Sequence, residues 1–527
     1  MSKGARTARA AGTVSFAVLL SRVLGLVREQ VFAGLFGAGL FMDAWLVAFR
    51  IPNLLRDLFA EGALSSAFVP TFTEYLQTKG KAQAWELANL VLSTLMVLLG
   101  LITILLFYFS DYFVFVLAAG FEDVPGKVEV TSVLIRILSP FLALVAFASI
   151  TMGILNTLNH FFLPAFAPAL FNLTLIISGF LLVPRFEESG LLPIYAMGVG
   201  AILGGILQWV VQIPLLHKHG FRFRFRINLR HPGIRRMARL IGPAIIGVSA
   251  VQINVLVNTQ LASFLQENGP VSWLSYAFRI IYLPIGLFGV AVGIVNLKEV
   301  SSYAARQQWE ELKETVANSV RLIAFLSIPS AIGLFILAVP VVRVLFERGD
   351  FDPLDSQYTA YAVMAYTVGL FAYSTVKVYV PTFYALNDTR TPVRISIIAV
   401  VTNIIVNLSL IFLLPDDYRY VGLALGTSVS VILNSNLLAY SFRRRLGDLS
   451  TYGVVPMIMK TLAAGAVMGL AVAWLSSQWR ITPEQSTLTQ VSSLFLIIAI
   501  AVALFVTLCR GLNVEELNYF LPRRIRK

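Results

Sequence analysis

The sequence predicts an all-α polytopic membrane protein of about fourteen transmembrane helices. Apolar runs near twenty residues recur along the whole chain, each long enough to cross a hydrocarbon core of about 30 Å. Of the 527 residues, 57% are hydrophobic and 13% charged, where a soluble domain would carry roughly 25% charge. The charges fall mostly between the runs, in short loops whose sign alternates along the chain. An outer-membrane barrel would show short alternating segments instead.

The first run, 13–36, follows the basic segment MSKGARTARAAG. It contains Arg22 and Arg28 and no clear small-residue cleavage site, so it reads as a retained first span rather than a cleaved leader. The second run, 43–76, is long and interrupted by Pro52, which should bend it. Runs 86–109, 131–158, 164–183 and 192–216 complete a first set. After a basic stretch come 237–265 and the long 271–303, interrupted by Pro284. The runs 317–340, 359–386, 392–414, 421–442, 454–476 and 489–510 follow. The single Cys509 lies in the last of them and suits a packing role; one cysteine excludes a disulfide framework and a cysteine metal site.

Loop charges set the orientation. Lys3, Arg6 and Arg9 precede the first span, and Lys79 and Lys81 follow the second. HKHGFRFRFRINLRHPGIRRMAR (217–239) joins the sixth to the seventh, Arg443, Arg444 and Arg445 follow the twelfth, and RRIRK ends the chain. The intervening loops are mixed or acidic, as at Glu187 and Glu188, at Glu347 and Asp350, and at Asp416 and Asp417. This is the positive-inside pattern, with an even number of spans and both termini in the cytoplasm. It also accounts for the net charge of +13 without nucleic acid.

The halves resemble each other. LNHFFLP (158–164) parallels LNDTRTP (386–392), VLAAGFEDVPG (116–126) parallels VLFERGDFDPLD (344–355), and MGVGAILGGIL (197–207) parallels LALGTSVSVIL (423–433). The organisation expected is an N-terminal lobe 1–216, a basic cytoplasmic linker 217–239, a C-terminal lobe 240–445, and a segment 446–527 holding the last two spans and a basic tail. Such repeats place a transport site between lobes.

Ionisable residues that do enter spans cluster. SRVLGLVRE (21–29) carries Arg22, Arg28 and Glu29. DAWLVAFRIPNLLRDLFAEGALSSAFVP (43–70) carries Asp43, Arg50, Arg56, Asp57 and Glu61. SYAFRIIYLP (275–284) carries Arg279. Charge inside a span costs several kcal/mol and normally faces a bundle interior or a wet cavity. Seven-residue spacing puts Arg22 and Glu29 on one face, and Arg50, Asp57 and Glu61 on another if Pro52 keeps the register. Carboxylates that hold some arginines while others meet an anion fit this pattern, because a guanidinium donates a two-pronged fork to phosphate. Ion pairs that only lock the first two helices, or side chains that snorkel to the surface, are the competing readings. Gly37, Gly39, Pro52, Pro284 and Gly286 are hinge candidates, with close helix packing as the alternative.

His160 and the loop residues His217, His219 and His231 read as solvated groups rather than a metal site. Asn254 with Asn258, and Asn403 with Asn407, stand four apart; helix–helix hydrogen bonding is favoured over a cation site. No Walker motif is present, so no nucleotide or other cofactor is expected.

SRVLGLVRE, FGAGLFMDAWLVAFRIPNLLRDLFAEGALSSAFVP, SYAFRIIYLPIGLFGVAVG, LFERGDFD and FYALNDTRTPV resemble the MurJ (MviN) family of bacterial lipid II flippases over nearly the whole chain. The resemblance implies a fold of the multidrug/oligosaccharidyl-lipid/polysaccharide exporter superfamily: two six-helix lobes in a V, plus two C-terminal helices forming a lipid-tail groove. It implies a transporter of the inner membrane, not an enzyme. The cargo would be lipid II, the undecaprenyl-diphosphate-linked disaccharide-pentapeptide, with membrane lipids and cell-wall synthesis proteins as other partners. The family's cavity arginines fall on Arg22, Arg28, Arg56 and Arg279, its basic position before the proline on Arg50, and its acids on Glu29, Asp43 and Glu61. Many members carry an acid where this chain has Phe278. Coupling to the membrane potential or to a monovalent ion is expected. A flippase for another polyprenyl-linked saccharide, a drug exporter, a membrane enzyme acting on a lipid diphosphate and a non-transporting scaffold are the alternatives.

Overall fold

The computed structural model describes residues 3–56, 63–265 and 268–520, with side chains described outside 3–12, 55–66 and 243–251. Every regular element among the described residues is helical. The first helices are α1 Lys3–Phe36, α2 Leu40–Ala48, α3 Arg50–Arg56, α4 Ala63–Glu74, α5 Lys81–Tyr108, α6 Ser110–Ala118 and α7 Lys127–Leu138. Then come α8 Phe141–Thr157, α9 Phe162–Leu181, α10 Val183–Glu188, α11 Pro193–Val210, α12 Ile213–Lys218 and α13 Pro232–Ser263. The remainder are α14 Pro270–Pro284, α15 Ala291–Ala305, α16 Trp309–Ile336, α17 Ala338–Phe346, α18 Pro353–Thr367 and α19 Leu370–Ala385, followed by α20 Arg390–Leu413, α21 Arg419–Leu446, α22 Val454–Gln478 and α23 Thr487–Gly511.

Among the described residues 10 helical segments are long and apolar enough to cross a membrane, or 11 when α18 and α19, bent by 47°, count as one broken span. The other expected spans, 13–36, 43–76 and 237–265, coincide with α1, with the series α2–α4 and with α13, each of which includes or adjoins residues outside the described set.

Of the two prolines in long runs, Pro52 lies just after a break and Pro284 at a local change of helix type within one continuous span. The helix stops at Phe49 and restarts at Arg50, so that Pro52 sits in the first turn of α3, where its missing N–H costs little. Pro284 ends α14 and is followed by a π-helical stretch, Ile285–Val290, that contains Gly286. Gly37 closes α1 with φ 58°, and Gly39 is extended ahead of α2.

Two compact units divide the chain, Met1–Gly269 with Arg348–Asp350, and Pro270–Glu347 with Phe351–Lys527. The division comes after Gly269 rather than in the basic stretch 217–239, because α13 packs on α4 and α6. The first unit has a core of Phe68, Phe72, Leu87, Val91, Ile150 and Ile154. Within it α9 is clasped between α1 and α11. Glycines permit the approach: a Cβ on Gly179 would lie 2.8 Å from Val31 Cγ1, and one on Gly200 would lie 2.4 Å from Ser178 Oγ. The second unit is centred on Leu312, Val316, Ile323, Val378, Phe383 and Phe442. Its last two helices are tied down by arginines. Arg321 donates to Glu515, Glu516 and the Tyr452 carbonyl, and Arg343 is paired with Glu347 and donates to the Ile481 carbonyl.

The sequence parallel between halves recurs in the backbone. α8 and α19 each run out into an asparagine in the left-handed region, Asn159 with φ 63° and Asn387 with φ 57°. In each case the next amide reaches back to a helix carbonyl, His160 N to Leu155 O and Asp388 N to Phe383 O, both at 2.9 Å. This is the helix stop in which a left-handed residue lets the following N–H satisfy an orphan carbonyl.

Candidate functional site

In the first unit the charged positions of α1 to α3 are built into a polar and aromatic setting. Glu29 on α1 is 5% exposed and is paired with its neighbour Arg28. Arg28 also donates from Nη1 to Asn172 Oδ1 on α9 at 2.9 Å. Asn172 Nδ2 in turn donates to the Ser21 carbonyl at 3.0 Å, so one amide joins the arginine to its own helix a turn or more upstream. The Arg28 guanidinium lies 6.0 Å from the Phe171 ring centroid, at the outer range of a cation–π contact. Phe171 stacks on Phe141 and Phe49, and Phe49 stacks on Trp45. Arg50, directly after Phe49, donates from Nη2 to Thr259 Oγ1 on α13 at 3.2 Å.

Some expectations change here. The seven-residue spacing put Arg22 and Glu29 on one face; the arginine paired with Glu29 is its neighbour Arg28, and the Arg22 side chain is exposed. The spacing fixes where Cβ atoms point, while the long arginine side chain swings back to the adjacent carboxylate. Asp43 is bonded to a lysine: its Oδ2 accepts from Lys127 Nζ and from the Gly269 amide, each at 2.9 Å. Lys127 and Asp43 side chains are each 1% exposed. Lys127 also donates to Asn268 Oδ1 at 3.2 Å and sits 4.3 Å from the Phe121 ring. This pair ties α2 to α7 and to the 268–269 segment. Asp57 and Glu61 lie outside the described residues, as does the Arg56 side chain at the end of α3.

In the second unit Arg279 is half-buried on α14, one turn before Pro284. Its neighbour Phe278 packs against Tyr282, Tyr366 and Tyr373. Gly289 and Gly293 serve packing, since a Cβ on Gly293 would come 2.4 Å from the Lys377 carbonyl oxygen on α19. Asn403 and Asn407 are 0% exposed. Asn407 donates to Asn403 Oδ1 at 3.1 Å, and Asn403 donates to Thr427 Oγ1 at 3.3 Å, which is the helix–helix hydrogen bonding expected for them.

Two loop histidines are not simply solvated. His160 and His219 meet at 2.8 Å through their Nε2 atoms, and His231 caps α13 by accepting from the Gly233 amide at 3.2 Å. Burial lowers the His219 pKa, and positive charge on His160, Lys81 and Lys218 lowers it further. Sequence reasoning missed Lys127, Phe171, Asn172 and Thr259. Only Asn172, an amide inside the apolar run 164–183, carried a signal that could have singled it out.

A solved inward-facing multidrug resistance MATE family transporter of the MOP superfamily is similar to 82% of this chain and 95% of its own, with TM-score 0.68 and 14% identity. The two chains therefore share a fold. The family model "Lipid II flippase MurJ" matches residues 32–504. The probable lipid II flippase MurJ of Vibrio cholerae serotype O1 is 37% identical over 518 residues, 96% of each chain. A solved lipid II flippase MurJ, in an inward closed conformation, is similar over 95% of this chain and 99% of its own, with TM-score 0.78 and 27% identity. The chain belongs to the MurJ lipid II flippase family, a family of transporters and not of enzymes.

Proposed function

We propose that this protein moves lipid II from the cytoplasmic to the periplasmic leaflet of the bacterial inner membrane by alternating access. Both termini lie in the cytoplasm on this reading, which rests on the positive charge of alternate loops. Arg28, Arg56 and Arg279 take the diphosphate, with Arg22 and Arg50 as further contacts. The observation that carries the proposal is the setting of Arg28. A guanidinium has five N–H donors; Nε, Nη1 and Nη2 each commit one to Glu29 or Asn172, and 5 − 3 leaves two. Glu29 and Asn172 thus fix the plane of the fork and leave donors for a phosphate.

Coupling draws on the membrane potential or a monovalent ion. An inside-negative potential favours outward movement of an anionic head group by about 2.3 kcal/mol per charge per 100 mV. The polyprenyl tail stays in lipid along α22 and α23. Membrane lipids and cell-wall synthesis proteins that supply and consume the precursor are the remaining partners.

The test is depletion of the native protein with rescue by wild type, Arg28→Ala or Arg28→Lys, reading lipid II in each leaflet. Inner-leaflet lipid II should accumulate on depletion, clear with wild type, and persist with Arg28→Ala. Lysine should rescue only in part, because it keeps the charge and loses the fork. Unchanged lipid II on depletion would overturn the cargo, and full rescue by Arg28→Ala would overturn the role of the arginine.

A further inference from the structure

The basic stretch after α12 has a form that transport does not explain. Its residues 221–228 make no helix, yet they are held in register along α5. Asn89 Nδ2 donates to the Arg222 carbonyl at 3.2 Å, the Arg224 amide donates to Asn89 Oδ1 at 2.8 Å, and the Arg226 amide donates to Ser93 Oγ at 3.0 Å. All these bonds fall on alternate residues. Backbone groups that face one way every second residue define an extended chain, and an extended chain sends successive side chains to opposite faces. The sequence FRFRFRI (221–227) alternates in step. Arg222, Arg224 and Arg226 share one face; Phe223, Phe225 and Ile227 share the other and are 44%, 58% and 49% exposed.

Phe221 anchors the start of the stretch, buried against Trp85; beyond it both faces are largely open. Arg226 is 3.8 Å from Glu86, and Arg222 and Arg224 make no ion pair among the described residues. An exposed apolar row beside a row of arginines is a poor surface in water. It suits a boundary where acyl chains meet phosphates, and α5 places it there. The apolar run of α5 begins at Glu86, so the anchoring residues Asn89 and Ser93 lie within about two turns of its start.

We propose that residues 222–227 form a two-faced ribbon that binds negatively charged phospholipid head groups, with the arginines on phosphate and Phe223, Phe225 and Ile227 among the acyl chains. This site is separate from the substrate arginines and does not depend on which lipid-linked saccharide is moved.

The full chain in detergent, titrated with phosphatidylglycerol or phosphatidylcholine, is assayed for bound lipid by native mass spectrometry. Wild type should prefer phosphatidylglycerol. R222Q/R224Q/R226Q should lose at least tenfold in its binding at low salt: a juxtamembrane charge near an anionic surface is worth up to about fivefold, and screening reduces the sum. R222K/R224K/R226K should keep the preference. Phe223→Ser with Phe225→Ser should weaken both lipids alike. Equal binding of the two lipids by wild type, a preference that survives the glutamines, or one lost with the lysines would each overturn the proposal; unchanged binding by the serine variant would overturn its apolar half. Where the glutamine variant does not fold, wild type at high salt decides, and an undiminished preference there overturns the proposal.

Discussion

Replacing Lys127 with methionine removes the cation from a pair in which both side chains are buried. Asp43 keeps the Gly269 amide but loses its opposite charge at 2.9 Å. At that distance an effective dielectric of about 20 gives an attraction of about 6 kcal/mol. The lysine no longer pays desolvation, so the net cost should be about 3–5 kcal/mol, as for other buried pairs broken from one side. Removing both charges with Asp43→Leu and Lys127→Met should recover most of that loss, since a well-packed apolar pair needs no desolvation. The assay is the apparent Tm of the detergent-solubilised protein by tryptophan fluorescence, at one fixed scan rate because unfolding of such a protein is under kinetic control. Lys127→Met should lower it clearly and the double variant should lie near wild type. A single variant as stable as wild type, or a double variant worse than either single, would refute the assignment of this pair as a structural tie.

Asn172→Leu should leave the protein folded but cut lipid II movement by about tenfold, the worth of about 1.4 kcal/mol in orienting Arg28; transport into the outer leaflet of vesicles measures it. Gly426→Val should destabilise by about 1–3 kcal/mol through overpacking, because a Cβ there would lie 2.0 Å from Asn407 Oδ1; the apparent Tm reports it. Arg321→Gln strips the buried Glu516 of its cation, so limited proteolysis should release the C-terminal segment sooner than in wild type. The His219 pKa is lowered in the folded state, so this residue contributes stability above the ordinary imidazole pKa of about 6.5. That contribution is lost as pH falls through the lowered folded value; hydrogen exchange around 156–162 and 217–220 should rise in acid, and His219→Gln should flatten the effect.

The spans were legible because lipid imposes one rule on every helix, and twenty apolar residues announce themselves in sequence. The irregularities at Pro52, beside a break, and at Pro284, where α-helix gives way to a π-helical stretch, were legible for a similar reason, since proline removes a backbone donor wherever it stands. Partners were harder. Asp43 and Lys127 are 84 residues apart and Arg28 and Asn172 are 144 apart, separations over which one sequence carries no pairing signal. The shared face of Arg22 and Glu29 did not foretell a pair, because the adjacent Arg28 reaches the carboxylate. The basic stretch was recognised by charge alone, and its alternation of arginine with phenylalanine acquired meaning only once Asn89 and Ser93 fixed which way the backbone faced.

The glycine-lined clasp around α9 bears on the cost of each transport cycle. Arg28 leans on Asn172 and Phe171, and both ride on a helix that Gly179 and Gly200 let its neighbours grip closely. A charge carried on such a block moves as a passenger. The part of its hydration shell that Glu29 and Asn172 replace is exchanged once, during folding. On the proposed cycle, only the two donors left open on Arg28 would exchange water for phosphate, and the remaining three would keep their protein partners.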